Sequence, residues 1–408
     1  MSLSRPEIKE AYAACSRCGA CMSVCPVYVA EPREEHVCRG KLALLKGWDA
    51  GVIGPDREMG EALSRCLLCG RCQANCPNLA PTVQGLAAGR DLLAGAEGMS
   101  LIKKMLLQKA LPRPAAMAAL FKAGALAGPL AKAVPTESGL HLRLPGLKQA
   151  AALPASGGDS FLSRAPMRVA GPQGAPTLAL FAGCVGNFLR PASLLHALNI
   201  LSRRYTVLAP AGQSCCGLPA YSAGLGETTA ALARKQAALF LAAKADRVVT
   251  LCGSCAHTMA RVWPELLPED PAVAAMAGKV VEISQVLAEE ENLGSRLVCK
   301  AQGVALHHPC HLHIGLGVKE EPVAVLRAAG ADLVDMAGAD ACCGGGGLFA
   351  VTQPELSGRI FETPARSFAA SGAQILATSC SGCYLQWRAG LPKGVRVAHP
   401  VELLEPIA

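Results

Sequence analysis

No run of this chain is apolar for long enough to cross a bilayer. Lysine and proline interrupt even its most hydrophobic segment, residues 101–134, and a spanning helix needs about 20 nearly unbroken apolar residues. The opening "MSLSRPEIKEAYAAC" carries no apolar core of a signal peptide, so the expected location is cytoplasmic, with the cytoplasmic face of the inner membrane as a further option. Aromatics make up only 4% of the residues, and no basic stripe with interleaved aromatics occurs, which leaves nucleic acid a poor match for the net charge of +8. No G-x-G-x-x-G stands between a strand-like and a helix-like run, and there is no phosphate-binding loop; "GLGETTA" at Gly224 lacks the preceding strand and the full glycine set. A nucleotide or flavin site of its own is therefore not expected. Charged residues reach only 17%, against a usual quarter or so, and mean hydropathy is +0.31. Such a chain has apolar surface to spare for a permanent partner or a membrane face.

What is abundant is cysteine, twenty in 408 residues. Without an export signal these thiols stay reduced, so metal or redox chemistry is a better reading than a disulfide framework. The stretches "CSRCGACMSVCP" (Cys15–Pro26) and "CLLCGRCQANCP" (Cys66–Pro77) both read C-x₂-C-x₂-C-x₃-C-P. This is the spacing of bacterial two-cluster ferredoxins, in which the fourth cysteine of each run ligates the other cluster. One [4Fe–4S] cluster is thus expected on Cys15, Cys18, Cys21 and Cys76, and the second on Cys66, Cys69, Cys72 and Cys25. Zinc sites of Cys₄ type use paired C-x₂-C elements and match a triple run closed by C-P less well. Two adjacent clusters suit a relay for single electrons, whereas one catalytic cluster would need no second.

From about Pro176 short apolar runs alternate with helical ones. "TLALFAGC", "YTVLAPA", "DRVVTLCG", "VALHHPC", "ADLVDM" and "AQILATSC" read as buried strands; residues 190–204, 227–245, 322–331 and 353–371 read as helices. That alternation predicts α/β units with parallel strands. The half is duplicated: Cys184, Cys215-Cys216 and Cys252/Cys255 recur as Cys310, Cys342-Cys343 and Cys380/Cys383, in one order and at nearly one offset. Each group is expected at a strand's end, so that three loops converge and bring five thiols together. Gly217 and the run from Gly344 to Gly347 offer N–H groups to sulfur. Five thiols exceed the four of a cubane or zinc site. A disulfide between adjacent cysteines and a Cys252/Cys255 redox dithiol remain alternatives, with the duplication favouring metal clusters. Around Cys310, His307 reads as packing, while His308 and His311 are weaker candidates to support the site. Cys38 and Cys299 fit neither pattern and read as ordinary core or surface cysteines.

The expected architecture is an α-helical two-cluster ferredoxin domain (residues 1–100), a helical and linker region (101–176), and two repeated α/β cysteine-rich CCG domains with parallel strands (177–295 and 296–408). Within the second part, residues 101–134 read as amphipathic helices with a basic face, suited equally to the protein's own core and to a membrane surface. Residues 135–176, rich in Pro, Gly, Ala and Ser, read as a linker between domains with room for ordered pieces.

Two ferredoxin runs followed by two CCG modules, with "PRPA" at Pro112–Ala115 and the closing "HPVELLE" at His399–Glu405, resemble the iron–sulfur subunits of glycolate oxidase and of related D-lactate dehydrogenases. The modules alone also resemble the cysteine-rich subunits of heterodisulfide reductase and of anaerobic glycerol-3-phosphate dehydrogenase. The resemblance implies a separate FAD-binding subunit that oxidises a 2-hydroxy acid, with this chain carrying the electrons to quinone or another acceptor. It also implies one or two further iron–sulfur clusters, noncubane [4Fe–4S] in the heterodisulfide reductases, on Cys184, Cys215, Cys216, Cys252 and Cys255 and on Cys310, Cys342, Cys343, Cys380 and Cys383. Glycolate oxidase subunits often lack part of the first module's C-x₂-C, which is complete here. That keeps open an alternative function: disulfide cleavage at a C-terminal cluster.

Overall fold

The computed structural model describes residues 5–96, 98–127, 132–136, 139–143 and 159–407. Its N-terminal part is helical. Helices Pro6–Ala14, Cys38–Asp49 and Thr82–Ala96 pack together through Ile8, Ala11, Leu42, Leu45, Leu86 and Leu93, all buried. Helix Arg57–Ser64 is started by Asp56, whose carboxylate accepts from the Met59 N–H at 2.8 Å, the usual way of satisfying a first-turn donor. The two cysteine runs form the loops between these helices.

Among the described residues twelve strands follow: β1 (Lys132–Thr136), β2 (Gly139–Arg143), β3 (Arg168–Val169), β4 (Thr177–Phe181), β5 (Thr206–Leu208), β6 (Arg247–Thr250), β7 (Val280–Glu282), β8 (Leu297–Val298), β9 (Val304–His307), β10 (Ile375–Thr378), β11 (Arg396–Ala398) and β12 (Glu405–Pro406). The first module is a five-stranded sheet ordered β3-β5-β4-β6-β7, parallel except for β3. The second is a three-stranded parallel sheet, β11-β10-β9. Two repeated α/β modules with parallel strands thus follow a dicluster ferredoxin domain.

Strand alternation divides the core. In β4, Leu178 and Leu180 point into a central core shared by both modules, while Ala179 and Phe181 face the ferredoxin side. In β9, Val304 and Leu306 enter the same central core and Ala305 faces an outer cluster with Phe361, Phe368 and Trp387. The duplication meets itself there. Glu282, at the end of β7, and His399, just after β11, begin matching helical turns, each with a capping box. Their side chains form a buried hydrogen bond of 3.2 Å between the modules, His399 Nε2 to Glu282.

Two readings need correction. "ADLVDM" is not a strand: only Leu333 pairs, as an isolated bridge to Val304, because the segment lies at the sheet edge with a single neighbour. Cys342-Cys343 therefore lies in a loop that no strand precedes. The helical reading of 101–134 holds for Leu101–Lys104, a π-helical turn at Met105–Ala110 and Pro114–Ala127, but Lys132 already belongs to β1. The linker read over 135–176 holds ordered pieces: most of the antiparallel β1–β2 hairpin, which begins at Lys132, a helix at Phe161–Arg164, and β3; residues 144–158 lie outside the described ones.

Candidate metal centres

The two ferredoxin loops have matching backbones. Arg17 and Leu68 precede the second cysteine of their runs with φ of +60° and +50°, and Gly19 and Gly70 follow it with φ of +88° and +78°. Two left-handed residues around one cysteine are costly outside glycine. They turn each loop sharply about its middle cysteine, Cys18 at the surface and Cys69 half-buried. Asn75 and Asn78 then donate to the carbonyls of Ala20 (2.8 Å) and Ala14 (3.0 Å), clasping the second loop onto the first.

The clasp crosses the runs. One cavity is lined by Cys15, Cys18, Cys21 and Cys76, and the other by Cys25, Cys66, Cys69 and Cys72. Cys38 lines both. It is buried, and its thiol hydrogen-bonds to Cys72, holding the Cys72 pKa below and its own above the ordinary thiol value. Burial pushes the Cys25 thiol up to about 11. Nothing in the spacing pointed to Cys38; its place between the cavities depends on how helix Cys38–Asp49 packs.

Three cations surround the inner set, also invisible in the sequence. Lys41 is 1% exposed and, among the described residues, gives its ammonium only to the Glu35 carbonyl, at 2.8 Å. Arg90 spends its guanidinium on the carbonyls of Leu63, Ser64, Cys66 and Ser222. Burial lowers the pKa of both, and the strongest charge opposing that shift is Cys66. Arg71, between Cys69 and Cys72, reaches out of the ferredoxin loop to Asp340 (2.9 Å) and to Cys310. Buried cations without carboxylate partners cost several kcal/mol each. Thiolates carrying an anionic iron–sulfur cluster would supply the missing charge, so the donor set fits such a group.

The modules bring the other ten site cysteines to a single cavity of about 130 Å³, lined by Cys184, Cys215, Cys216, Cys252 and Cys255 from one side and Cys310, Cys342, Cys343, Cys380 and Cys383 from the other. The two halves are built alike. The Gly217 N–H donates to Cys215 Sγ and the Gly344 N–H to Cys342 Sγ, both at 3.4 Å. Both glycines have positive φ (+95° and +78°). A hydroxyl from the following helix, Thr229 or Ser357, donates to each glycine carbonyl. Cys184 and Cys215 lie 3.7 Å apart, and Cys216 bonds to Cys255 as Cys343 does to Cys383. All twenty cysteines are free thiols.

The halves also touch each other and the ferredoxin loops. Cys252 hydrogen-bonds to Cys380. The Ser254 hydroxyl lies 3.1 Å from Cys380 Sγ, and the Ser381 N–H 3.5 Å from Cys252 Sγ. Cys69 of the inner ferredoxin set hydrogen-bonds to Cys310 of the second module. His311 joins all three parts, with Nδ1 2.8 Å from the Ser254 hydroxyl and Nε2 3.3 Å from the Leu68 carbonyl. His257, which no spacing in the sequence singles out, stacks on it with ring centroids 4.8 Å apart, and burial takes its pKa down to about 3. His307 has both nitrogens hydrogen-bonded, to Thr378 (3.0 Å) and the Ala341 carbonyl (3.1 Å). A ring nitrogen also lies within 4.8 Å of the Cys343 and Cys383 sulfurs, so beside the packing read for it His307 stands where it could join those thiols at a metal. His308 takes no part in this network, and Cys299 is a core residue.

Loops of this kind, on a helical dicluster domain and two CCG sheets, define an iron–sulfur protein. The profile of the 4Fe-4S dicluster domain matches residues 11–80, and that of the cysteine-rich CCG domain matches residues 178–260 and 304–388. The chain is 29% identical over 416 residues to the "Probable glycolate oxidase iron-sulfur subunit" of Bacillus subtilis (strain 168), covering 96% of this chain and 92% of the relative. It is 26% identical to the glycolate oxidase iron–sulfur subunit of Escherichia coli (strain K12), covering 96% and 93%. It is 34% identical over 239 residues to lactate utilization protein A of Bacillus velezensis (strain DSM 23117 / BGSC 10A6 / LMG 26770 / FZB42), covering 56% of this chain and 98% of the relative. The chain belongs to the iron–sulfur family that comprises glycolate oxidase iron–sulfur subunits and lactate utilization protein A.

Proposed function

We propose that this chain is the electron-transfer subunit of a flavin-dependent 2-hydroxy-acid dehydrogenase, acting with a partner FAD subunit on glycolate or D-lactate and passing the electrons to quinone or another acceptor. The observation that carries this reading is the continuity of the thiol sets. The outer ferredoxin cavity meets the inner one at Cys38, the inner one meets the second module at Cys69–Cys310, and the second module meets the first at Cys380–Cys252.

Cys15, Cys18, Cys21 and Cys76 would hold one [4Fe–4S] cluster, and Cys25, Cys66, Cys69 and Cys72 the other. The two five-cysteine sets would hold further clusters. When bound, such clusters exchange electrons one at a time. The chain's own residues do the rest. Lys41, Arg71 and Arg90 balance thiolate charge around the inner set, and the Gly217 and Gly344 N–H groups steady the sulfurs of Cys215 and Cys342. The substrate chemistry is assigned to the partner, which agrees with the lack of a nucleotide-binding motif in this sequence.

Anaerobic purification with the partner flavoprotein, followed by glycolate and D-lactate oxidation with a quinone analogue as acceptor, tests the proposal. Reduction of the clusters by substrate only when the flavoprotein is present is the expected result. Turnover of either hydroxy acid by this chain alone would overturn it.

A second reading has its own support. Both five-cysteine sets are complete and face one cavity, where a disulfide could lie between them. Cleavage there should change the EPR spectrum of the reduced protein when small disulfides are added. An unchanged spectrum across several disulfides would count against it.

A further inference from the structure

We propose that the segment Met99–Leu106 and the helix that follows it form a docking surface for an anionic lipid bilayer. Leu101, Ile102, Met105 and Leu106 recur at positions one and four apart, hence on one face of the helical turns. They are 78%, 72%, 65% and 40% exposed. Leu120, on the next helix, is 43% exposed. Large apolar side chains clustered this way in water mark an interaction site. The segment is not loosely attached: Leu107, Leu111 and Met117 are buried in the core, and Lys235 donates to the Pro112 carbonyl at 3.0 Å.

Charge selects the occupant. From residue 98 to residue 136 the chain carries six basic residues (Lys103, Lys104, Lys109, Arg113, Lys122 and Lys132) and no acidic one. Lys104, Lys109, Arg113 and Lys122 are exposed, and none of the four has an ion pair among the described residues. Protein interfaces are depleted in lysine. At a lipid surface, by contrast, aliphatic residues enter the acyl boundary and lysines reach up to anionic headgroups. No helix among the described residues is long and apolar enough to cross a membrane, so the contact is peripheral.

The placement matters to the reading above, on which this consequence rests. Gly98, Met99, Ser100 and Lys103 line a cavity of about 290 Å³ that Cys66, Leu67, Arg90, Leu348 and Phe349 also line. Docking brings the mouth of that cavity, and behind it the inner thiol set, to the level of the headgroups.

The experiment is flotation of the cluster-loaded full chain with vesicles of phosphatidylcholine alone or mixed with phosphatidylglycerol. Binding to the mixed vesicles, weakened by 0.5 M salt as a screening length of about 4 Å predicts, is expected. Two variants should each cut it about tenfold or more while leaving the visible spectrum unchanged: Leu101→Ser with Ile102→Ser, and Lys104→Gln with Lys109→Gln. The proposal is overturned if the wild type fails to float with anionic vesicles, if both variants float equally well, or if adding the flavoprotein abolishes flotation by covering the patch. Flavoprotein-dependent cluster reduction measured in detergent solution is read separately. Loss of flotation with that reduction intact removes the docking surface alone; the reverse removes the electron-transfer reading alone.

Discussion

Cys25 follows Cys21 by four residues, yet it lines the cavity of Cys66, Cys69 and Cys72. The Cys25→Ala variant should therefore lose the inner cluster and keep the outer one. Iron content should fall by about four per chain, and the remaining EPR signal should match that of a protein whose Cys66 set is disrupted. Loss of the Cys15 signal instead would show the crossing to be wrong. Cys38 makes the finer case. Its S–H donates to Cys72, and a hydrogen bond to a charged acceptor is worth about 1.5–3 kcal/mol. If about a third of that differs between oxidation states, Cys38→Ala lowers the midpoint potential of the inner cluster by about 20–40 mV. Cys38→Ser, which keeps a donor, should restore most of the shift. Redox titration followed by EPR reads both variants, and equal potentials in all three proteins would refute the role.

At the level of elements, the CCG turn depends on a backbone only glycine holds easily. At Gly344 a Cβ would sit 2.7 Å from the Ser357 carbonyl oxygen, with φ at +78°. Gly344→Ala should cost about 1–3 kcal/mol and displace the N–H from Cys342. The expected outcome is a lower melting temperature together with loss of iron from the second module first. A variant that melts normally and keeps its iron would mean the turn tolerates a side chain. Most elements of the α/β half were legible because β4, β6, β9 and β10 are short apolar runs ended by cysteine loops. "ADLVDM" misled because its apolar residues look like a strand's while only Leu333 finds a neighbour. Pro364 lies inside helix Pro354–Ser371, where proline ordinarily breaks a helix. It is buried there, and packing of Ile360, Phe361 and Phe368 holds the helix together across it.

For the whole molecule, the joint between the modules is the feature with the largest expected effect. His399 Nδ1 accepts from the Val401 N–H at 3.1 Å, so Nε2 carries the proton toward Glu282. Both side chains are almost wholly buried. Removing the imidazole leaves the buried Glu282 carboxylate without its Nε2–H donor, and stranding a buried hydrogen-bonded group of this kind costs about 3 kcal/mol. His399→Ala should therefore destabilise the chain by about that amount, and His399→Gln by less. Chemical unfolding of the cluster-loaded protein measures it, and equal stability of the two variants would show that the joint does not depend on the pair. Arg190 strengthens the same joint, lying 3.6 Å from the Tyr384 ring centre and 2.6 Å from Glu402.

The sequence alone determined what repeats along the chain at short range: the two C-x₂-C-x₂-C-x₃-C-P loops, the two CCG modules, and the parallel strands with their intervening helices. Spacing and periodicity are local, so they can be read without knowing where the chain goes next. The tertiary structure decided what meets. It put Cys38 between two cavities, Cys69 against Cys310, Cys252 against Cys380, and uncompensated Lys41 and Arg90 beside the inner thiols. Those neighbours come from helices and loops far apart in sequence. They are set by which apolar faces share a core, and no local spacing encodes that.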